Sequence, residues 1–231
     1  MKPGADMKVC AVIPAFNAEE TIQDVLLKVQ QSISREHIIV VDDGSADATC
    51  EKAESLGVTV VRNTQNRGKG YSLNMGFDKA RVLGAEAVLT LDADGQHDPA
   101  CIDSFIDAMK TYDADLVMGS RAISFSEMPF DRVLSNFLSS LVVSFVSGMS
   151  IADSQCGFRL INIDKLNQLF LKGTRYELET ELLIQAVWEK WNIIFCPVPV
   201  IYNGSESSIS RIRDTARFCR IISQLLKNRY L

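Results

Sequence analysis

Two aspartates, Asp92 and Asp94, stand one residue apart in LTLDADGQHDP, residues 89–99. The run begins as an apolar strand, Val88-Leu89-Thr90-Leu91, so both carboxylates fall where the chain leaves its sheet. Like charges held that close repel, and each disfavours ionisation of the other. A positive partner relieves the repulsion: a metal ion, an arginine or a protein dipole. A divalent cation fits the donor chemistry, because Mg²⁺ and Mn²⁺ take oxygen ligands and keep positions open for phosphate oxygens. Gln96 is a third oxygen donor for the same ion. His97, beside Asp98-Pro99, has two open readings, metal ligand or loop hydrogen-bonder. A polyanion such as a nucleoside diphosphate would be repelled by two bare aspartates and accepted by a metal-loaded pair.

Strands and helices must carry these groups to one place. Residues 8–14 (KVCAVIP) are an apolar run rich in β-branched residues and ended by proline. Residues 18–31 place Ile22, Val25, Leu26 and Val29 at helical spacing, with acids in the first turn where the helix dipole favours them. Further strands are expected at 37–41, 58–62, 87–91 and 116–119. Helices are expected at 46–56 (capped by Ser45, closed at Gly57), 70–83 and 99–109. Near-continuous apolar strands alternating with helices predict an α/β fold, a mostly parallel central sheet covered on both faces. Such sheets bind ligands at the carboxyl ends of their strands. The polar motifs lie there: PAFNAEE after the first strand, VDDGSAD after the second, LDADGQHDP after the fourth and MGSR after the fifth. Each alone reads as an ordinary turn or cap; four at one sheet end describe one site. No G-x-G-x-x-G follows the first strand, which argues against dinucleotide binding. PAFNAEE holds no lysine or arginine, which argues against nucleotidyl transfer.

The second half reads differently. Residues 131–149 form an apolar stretch dotted with serines, too short to span a bilayer, and suit a core helix or an interfacial one. Residues 153–161 (DSQCGFRLI) are mixed and show no period. Residues 176–190 (YELETELLIQAVWEK) are helical and open with glutamates that suit a helix N-terminus. Residues 193–202 make a proline-broken strand. In the tail, Arg211, Arg213, Arg217, Arg220, Lys227 and Arg229 interleave with Phe218, Ile221, Ile222, Leu225 and Leu226. That pattern fits an anionic membrane surface, or a helix packed on the domain with a solvated basic face. The 231 residues, 47% hydrophobic and 23% charged, suit one large α/β domain. A net charge of −5 argues against bulk nucleic-acid binding. The start MKPGADMK lacks the apolar core of a secretory signal. Six scattered cysteines without a C-x-x-C pair suit reduced thiols and a cytoplasmic protein, peripheral on the inner face of the membrane if the tail binds lipid.

Taken in order, VIPAFNAEETI, VDDGSADAT, NRGKGYSLNMGF, LDADGQHDP, GSR and DSQCGFRL resemble the family-2 glycosyltransferases of GT-A fold, over residues 8 to about 205. Within them the chain looks most like the polyprenyl-phosphate sugar transferases, the dolichyl-phosphate mannose synthase and dolichyl-phosphate glucosyltransferase group. The resemblance implies an inverting, Mg²⁺- or Mn²⁺-dependent enzyme that moves a hexose from a nucleoside-diphosphate sugar to a polyprenyl phosphate. It implies one GT-A domain: a nucleotide-sugar half over 8–121, an acceptor half over 122–205 and a basic helix over 206–231. It sets Pro14 and Phe16 beside the nucleotide, Asp43 on its base, and Asn66 and Lys69 near it, with Asp42 anchoring the loop. It sets Asp92, Asp94 and Gln96 on the metal, with Ala93 beside the nucleotide.

Arg121 is a phosphate-binding candidate, since a guanidinium grips phosphate oxygens in a fork; a surface salt bridge is the alternative. Arg132 stands where relatives carry an arginine that meets the acceptor phosphate. Asp153, Gln155 and Arg159 lie in the acceptor-side motif. Toward a hydroxyl acceptor an aspartate there is a general base; a phosphate acceptor is already anionic and needs none. Asp153 is therefore a base or an organiser of its loop. Two positions depart from the family pattern. Ala18 replaces a common acid, and Ser208 stands where lipid-phosphate relatives carry a lysine, with Arg211 or Arg213 as substitutes. The rival readings are a hydroxyl acceptor with Asp153 as base, and a non-catalytic nucleotide-sugar-binding scaffold.

Overall fold

The computed structural model describes residues 7–121, 130–199, 201 and 211–230, with the side chains of 130–135, 211–216, 228 and 230 outside the description. Seven strands form one sheet: β1 (Val9–Ala15), β2 (Ile38–Asp42), β3 (Thr59–Arg62), β4 (Ala87–Thr90), β5 (Leu116–Arg121), β6 (Arg159–Asn162) and β7 (Ile193–Val198). Their spatial order is β3-β2-β1-β4-β6-β5-β7. The helices among the described residues are α1 (Ile22–Val29), α2 (Thr49–Ser55), α3 (Lys69–Val82), α4 (Ile102–Tyr112), α5 (Phe130–Ser147), α6 (Ile163–Leu166), α7 (Glu177–Trp188) and α8 (Arg211–Tyr230).

The five expected strands of the first half are present within two residues at each end. Neighbouring residues of a strand face opposite ways, and here both sides are covered. Ile13, Val40 and Leu89 are buried on the face that holds Phe105 of α4. Val12, Val41 and Val88 are buried on the other face with Phe77 of α3, Leu183 of α7 and Ile222 of α8. The C-terminal helix thus lays Ile221, Ile222 and Leu225 against the domain, beside α7.

One strand was not expected. β6 inserts between β4 and β5 and runs antiparallel to both, with Arg159 opposite Thr90 on one side and Met118 on the other. All other pairings are parallel. Reversal has a positional effect. The loop that enters β6 lies at the same sheet edge as the chain leaving β4 and β5, so residues 153–158 arrive at the strand-end motifs.

Helix α3 lies unusually close to β1, because a Cβ on Gly76 would overlap Val12 Cγ1. Gly76→Ala is expected to destabilise the protein by about 2 kcal/mol, overpacking outweighing the gain in helix propensity. The urea midpoint reads this, and an unchanged midpoint would mean that α3 lifts off β1 at little cost.

Candidate active site

The loops after β1 and β2 are laced together before any ligand is considered. Asn17, with φ of 49°, donates its N–H to Ser45 Oγ at 2.9 Å, and Ala46 N–H returns to Asn17 Oδ1 at 3.0 Å. Ala18 N–H bonds Thr49 Oγ1 at 2.7 Å, and Glu19 N–H bonds Asp47 Oδ2 at 3.1 Å. Ser45 is therefore not the cap of α2. Its hydroxyl serves Asn17, and the helix begins later, at Thr49, whose N–H bonds Asp47 Oδ1 at 3.0 Å. Pro14 is half-buried and Phe16 is exposed where β1 ends.

Asp42 and Asp43 are both buried. Asp42 accepts from Ser45 N–H at 2.9 Å and pairs with Arg62 Nε at 3.1 Å, the anchoring role expected of it. Asp43 accepts from Asn63 Nδ2 at 2.8 Å, Arg67 N–H at 2.9 Å and Gly68 N–H at 2.7 Å. Its carboxylate is engaged inside the protein, where it holds the 63–68 segment and leaves Asn66 and Arg67 exposed. A cleft of about 360 Å³ lined by Gly44, Ser45, Arg62, Asn63 and Thr64 opens beside it. Gly68 has a φ of 103°, and a Cβ there would come within 2.6 Å of Thr174 O, so this loop can close onto the start of α7 only with glycine.

After β4 the chain alternates inward and outward. Leu91 and Ala93 are buried, whereas Asp92 and Asp94 are partly exposed. Thr21 Oγ1 pins the turn by donating to Ala93 O at 2.6 Å. Asp94 Oδ1 accepts from Gln96 N–H at 2.9 Å, so Gln96 contributes its backbone to the turn. Lys69, the first residue of α3, places its ammonium 2.6 Å from Asp92 Oδ1 and 3.0 Å from Glu179 Oε2. His97 is buried and stacked on Phe158, with Nε2 3.8 Å from Asp92 Oδ2 and Nδ1 without a hydrogen-bond partner.

Electrostatics separates the two aspartates. Burial works against the charge on Asp92, but the Lys69 ammonium and His97 outweigh it and hold the carboxyl far below the usual range. Burial would likewise lower Lys69, but Asp92 and Glu179 together raise it well above an ordinary lysine. Asp94 is pushed up, by burial first and then by the charge of Asp92. A cation at this turn would relieve that strain. Among the described residues no three His, Cys, Asp or Glu side chains are grouped to hold a metal. Mg²⁺ characteristically uses one or two carboxylates together with substrate phosphates, and Asp92 with Asp94 supplies that donor set.

On the acceptor side, Arg121 and Asp153 face each other. Arg121 Nε lies 2.6 Å from Asp153 Oδ2, and Nη2 lies 2.9 Å from Oδ1, a two-point clamp. Asp153 is 1% exposed, and Oδ1 also accepts from Gln155 N–H at 3.1 Å. Burial would raise its pKa, but the hydrogen bonds and charge of Arg121 hold it below the usual carboxylate range. Arg159 is equally buried, and bonds the carbonyls of Cys156, Ser154 and Glu179 at 2.7–3.0 Å. It ties the loop before β6 onto α7. Gln155 Nε2 reaches Ser139 Oγ on α5 at 2.7 Å. Arg132 falls in the first turn of α5 with its side chain outside the described residues, as are those of Arg211 and Arg213; Ser208 lies wholly outside them.

The glutamates of α7 are more than dipole partners. Glu177 does accept from Thr174 and Arg175 N–H at the helix start. Glu181 instead receives Lys172 and Gly173 N–H, each at 2.8 Å, and Glu179 joins Lys69. Glu179 was not singled out for chemistry. The signal was present, because it precedes the buried Leu182, Leu183 and Ala186 by three, four and seven residues, which puts a charge on the apolar stripe.

Residues 10–170 match the family described as Glycosyl transferase family 2. A UDP-N-acetylglucosamine–dolichyl-phosphate N-acetylglucosaminyltransferase of Methanococcus voltae is 33% identical, with 96% of this chain and 96% of the relative covered. A polyprenol monophosphomannose synthase of Mycolicibacterium smegmatis is 26% identical over 89% of this chain and 81% of its own. Among solved structures, glucosyl-3-phosphoglycerate synthase from Mycobacterium tuberculosis, in complex with Mn²⁺, UDP and glucosyl-3-phosphoglycerate, superposes with a TM-score of 0.74. That comparison covers 96% of this chain and 79% of the other at 20% identity, a likeness of fold. With a match of that extent, the chain belongs to glycosyl transferase family 2 and carries the GT-A fold.

Proposed function

We propose that the protein transfers a hexose from a nucleoside-diphosphate sugar, of the GDP-mannose or UDP-glucose type, to a polyprenyl phosphate, with Mg²⁺ or Mn²⁺ as cofactor. The observation that carries the acceptor class is the clamp on Asp153. Both of its oxygens are committed to Arg121 and Gln155 N–H, and its carboxyl is held well below the range where a base accepts a proton at neutral pH. A phosphate monoester arrives ionised. One of its oxygens attacks the anomeric carbon, the bond from that carbon to the diphosphate oxygen breaks, and the configuration inverts without a proton being removed. The relatives of Methanococcus voltae and Mycolicibacterium smegmatis, whose names specify dolichyl phosphate and polyprenol, support the same class.

Asp92, Asp94 and Gln96 would hold the ion, which supplies electrophilic stabilisation of the departing diphosphate. Pro14, Phe16 and Asn66 border the nucleotide's approach, and Asp43 holds the loop that carries Asn66. Arg121 stands at the exit of β5 with its guanidinium oriented by Asp153, and Arg132, at the start of α5, is the residue proposed to meet the acceptor phosphate.

Titration with UDP and GDP, with and without Mn²⁺, identifies the donor class. Transfer from the matching sugar nucleotide, including UDP-N-acetylglucosamine, to polyprenyl phosphate and to the free polyprenol then tests the acceptor. Transfer to the phosphate alone is expected. Equal transfer to the alcohol would move the assignment to a hydroxyl acceptor.

A lipid acceptor requires access to a membrane surface, and no helix among the described residues is long and apolar enough to cross one. Helix α5 exposes Phe137, Leu138, Leu141, Val142 and Phe145, the last at 89%, along one helical face. Arg220 and Lys227 are exposed on α8, which packs with α5 against α7. We propose that the α5 face lies in the lipid interface, with the protein peripheral on the cytoplasmic leaflet. Leu141→Ser/Phe145→Ser should lower binding to anionic liposomes about tenfold or more, with an unchanged melting temperature. Undiminished sedimentation with liposomes would remove α5 from the interface.

A further inference from the structure

Lys69 holds a place that a metal would contest. Its ammonium lies between Asp92 Oδ1 and Glu179 Oε2, at 2.6 and 3.0 Å. The backbone of Gly157 closes the contact, since a Cβ there would stand 2.8 Å from Asp92 Oδ2 and 3.1 Å from Lys69 Nζ. An ammonium and a divalent ion against the same carboxylate repel each other, and more strongly where little water screens them. Glu179 offers the ammonium an alternative. It is 8% exposed, one oxygen already contacts Lys69, and the other, Oε1, has no hydrogen-bond partner. A buried carboxylate oxygen without a donor is costly, and a small shift of the ammonium would satisfy it.

We propose that Lys69 is a built-in cation of the donor site, which neutralises Asp92 when no metal is bound and moves onto both oxygens of Glu179 when metal and nucleotide arrive together. This rests on the donor-site reading given above. Lys69 is then a competitor of the free ion, and Glu179 is a positioning residue that acts through Lys69. Metal binding becomes conditional on the nucleotide. A free ion meets the ammonium, whereas an ion that arrives with a diphosphate brings negative charge enough to hold both cations.

The test measures Mn²⁺ binding to the full chain from the EPR signal of the free ion, with and without UDP or GDP. Wild type should bind Mn²⁺ weakly alone and about tenfold or more tightly with its nucleotide. Lys69→Met should bind Mn²⁺ alone about tenfold more tightly than wild type, and its dependence on nucleotide should shrink. Because that change leaves two carboxylates facing each other, Lys69→Met/Glu179→Gln removes one charge at similar volume and should show the same gain. Glu179→Gln alone should weaken nucleotide-dependent Mn²⁺ binding about tenfold, since the ammonium then stays on Asp92. Folded Lys69 variants that bind free Mn²⁺ no better than wild type would overturn the proposal and leave the donor site standing. Absence of any Mn²⁺-dependent nucleotide binding by wild type would overturn both.

Discussion

Asp94→Ala is expected to lower glycosyl transfer by about three orders of magnitude, the scale of losing a principal electrostatic stabiliser of the leaving group. Metal-dependent nucleotide binding should vanish with it. The fold should persist, because Asp94 is a carboxylate that its surroundings disfavour. Burial and the neighbouring Asp92 both push its pKa up, and within the turn it accepts a hydrogen bond from Gln96 N–H. Asp92→Asn should behave differently. It too should lose activity, but it also strips Lys69 of a partner at 2.6 Å inside a largely buried cluster, which costs stability of about 3 kcal/mol. The pair of variants therefore separates a residue held for a ligand from one that also supports the fold. Calorimetric titration with Mn²⁺ and nucleotide, beside a urea melt, reads both. Metal-dependent binding that survived in Asp94→Ala would remove this residue from the metal site.

How much of this could be read before the structure depended on whether a residue's role was local. The parallel half was legible because its strands are apolar runs of simple length, and because a strand end followed by Asp, Gly or Asn announces a turn. That is why Asp92 and Asp94 could be placed at the sheet edge. Strand β6 was not legible. It has four residues, its first is a buried arginine, and only its pairing with β4 and β5 makes it a strand. Roles that depend on partners far along the chain were hidden too. Glu179 meets Lys69 from 110 positions away, and nothing in either neighbourhood names the other. Ser45 had the type and place of a cap, yet its hydroxyl was claimed by Asn17 of the adjacent loop. The tail helix left two readings open, and its apolar side decided for packing: Ile221, Ile222 and Leu225 are buried against the domain, while Arg220 and Lys227 face outward. Helix α5 shares features of both readings, burying Val143 and Ser140 while a stretch apolar enough for a core exposes Phe137, Leu141 and Phe145.

Asp153→Asn should spare catalysis and weaken the fold, and that combination distinguishes an organiser from a base. Loss of a general base costs about 10²- to 10⁴-fold in turnover. Loss of the clamp on Arg121 should instead reduce turnover less than about tenfold while costing roughly 2–3 kcal/mol of stability, because an amide keeps part of the hydrogen bonding. Arg121→Ala should be the more damaging at about 3–5 kcal/mol, since it leaves the Asp153 carboxylate buried and uncompensated. The pH dependence gives an independent check. Asp153 has its folded pKa depressed by Arg121 against the opposing effect of burial. Its contribution to stability is therefore fully present above the unfolded value of about 4 and is lost as pH falls through the lower folded value. Urea midpoints taken from about pH 6 down to about pH 3 should fall steeply in wild type and less steeply in Asp153→Asn. A variant with normal stability and turnover reduced a thousandfold would make Asp153 the base and the acceptor a hydroxyl. A destabilised variant that still glycosylates a lipid phosphate would leave Asp153 as the residue that aims Arg121, because an acceptor that brings its own negative charge has no proton for Asp153 to take.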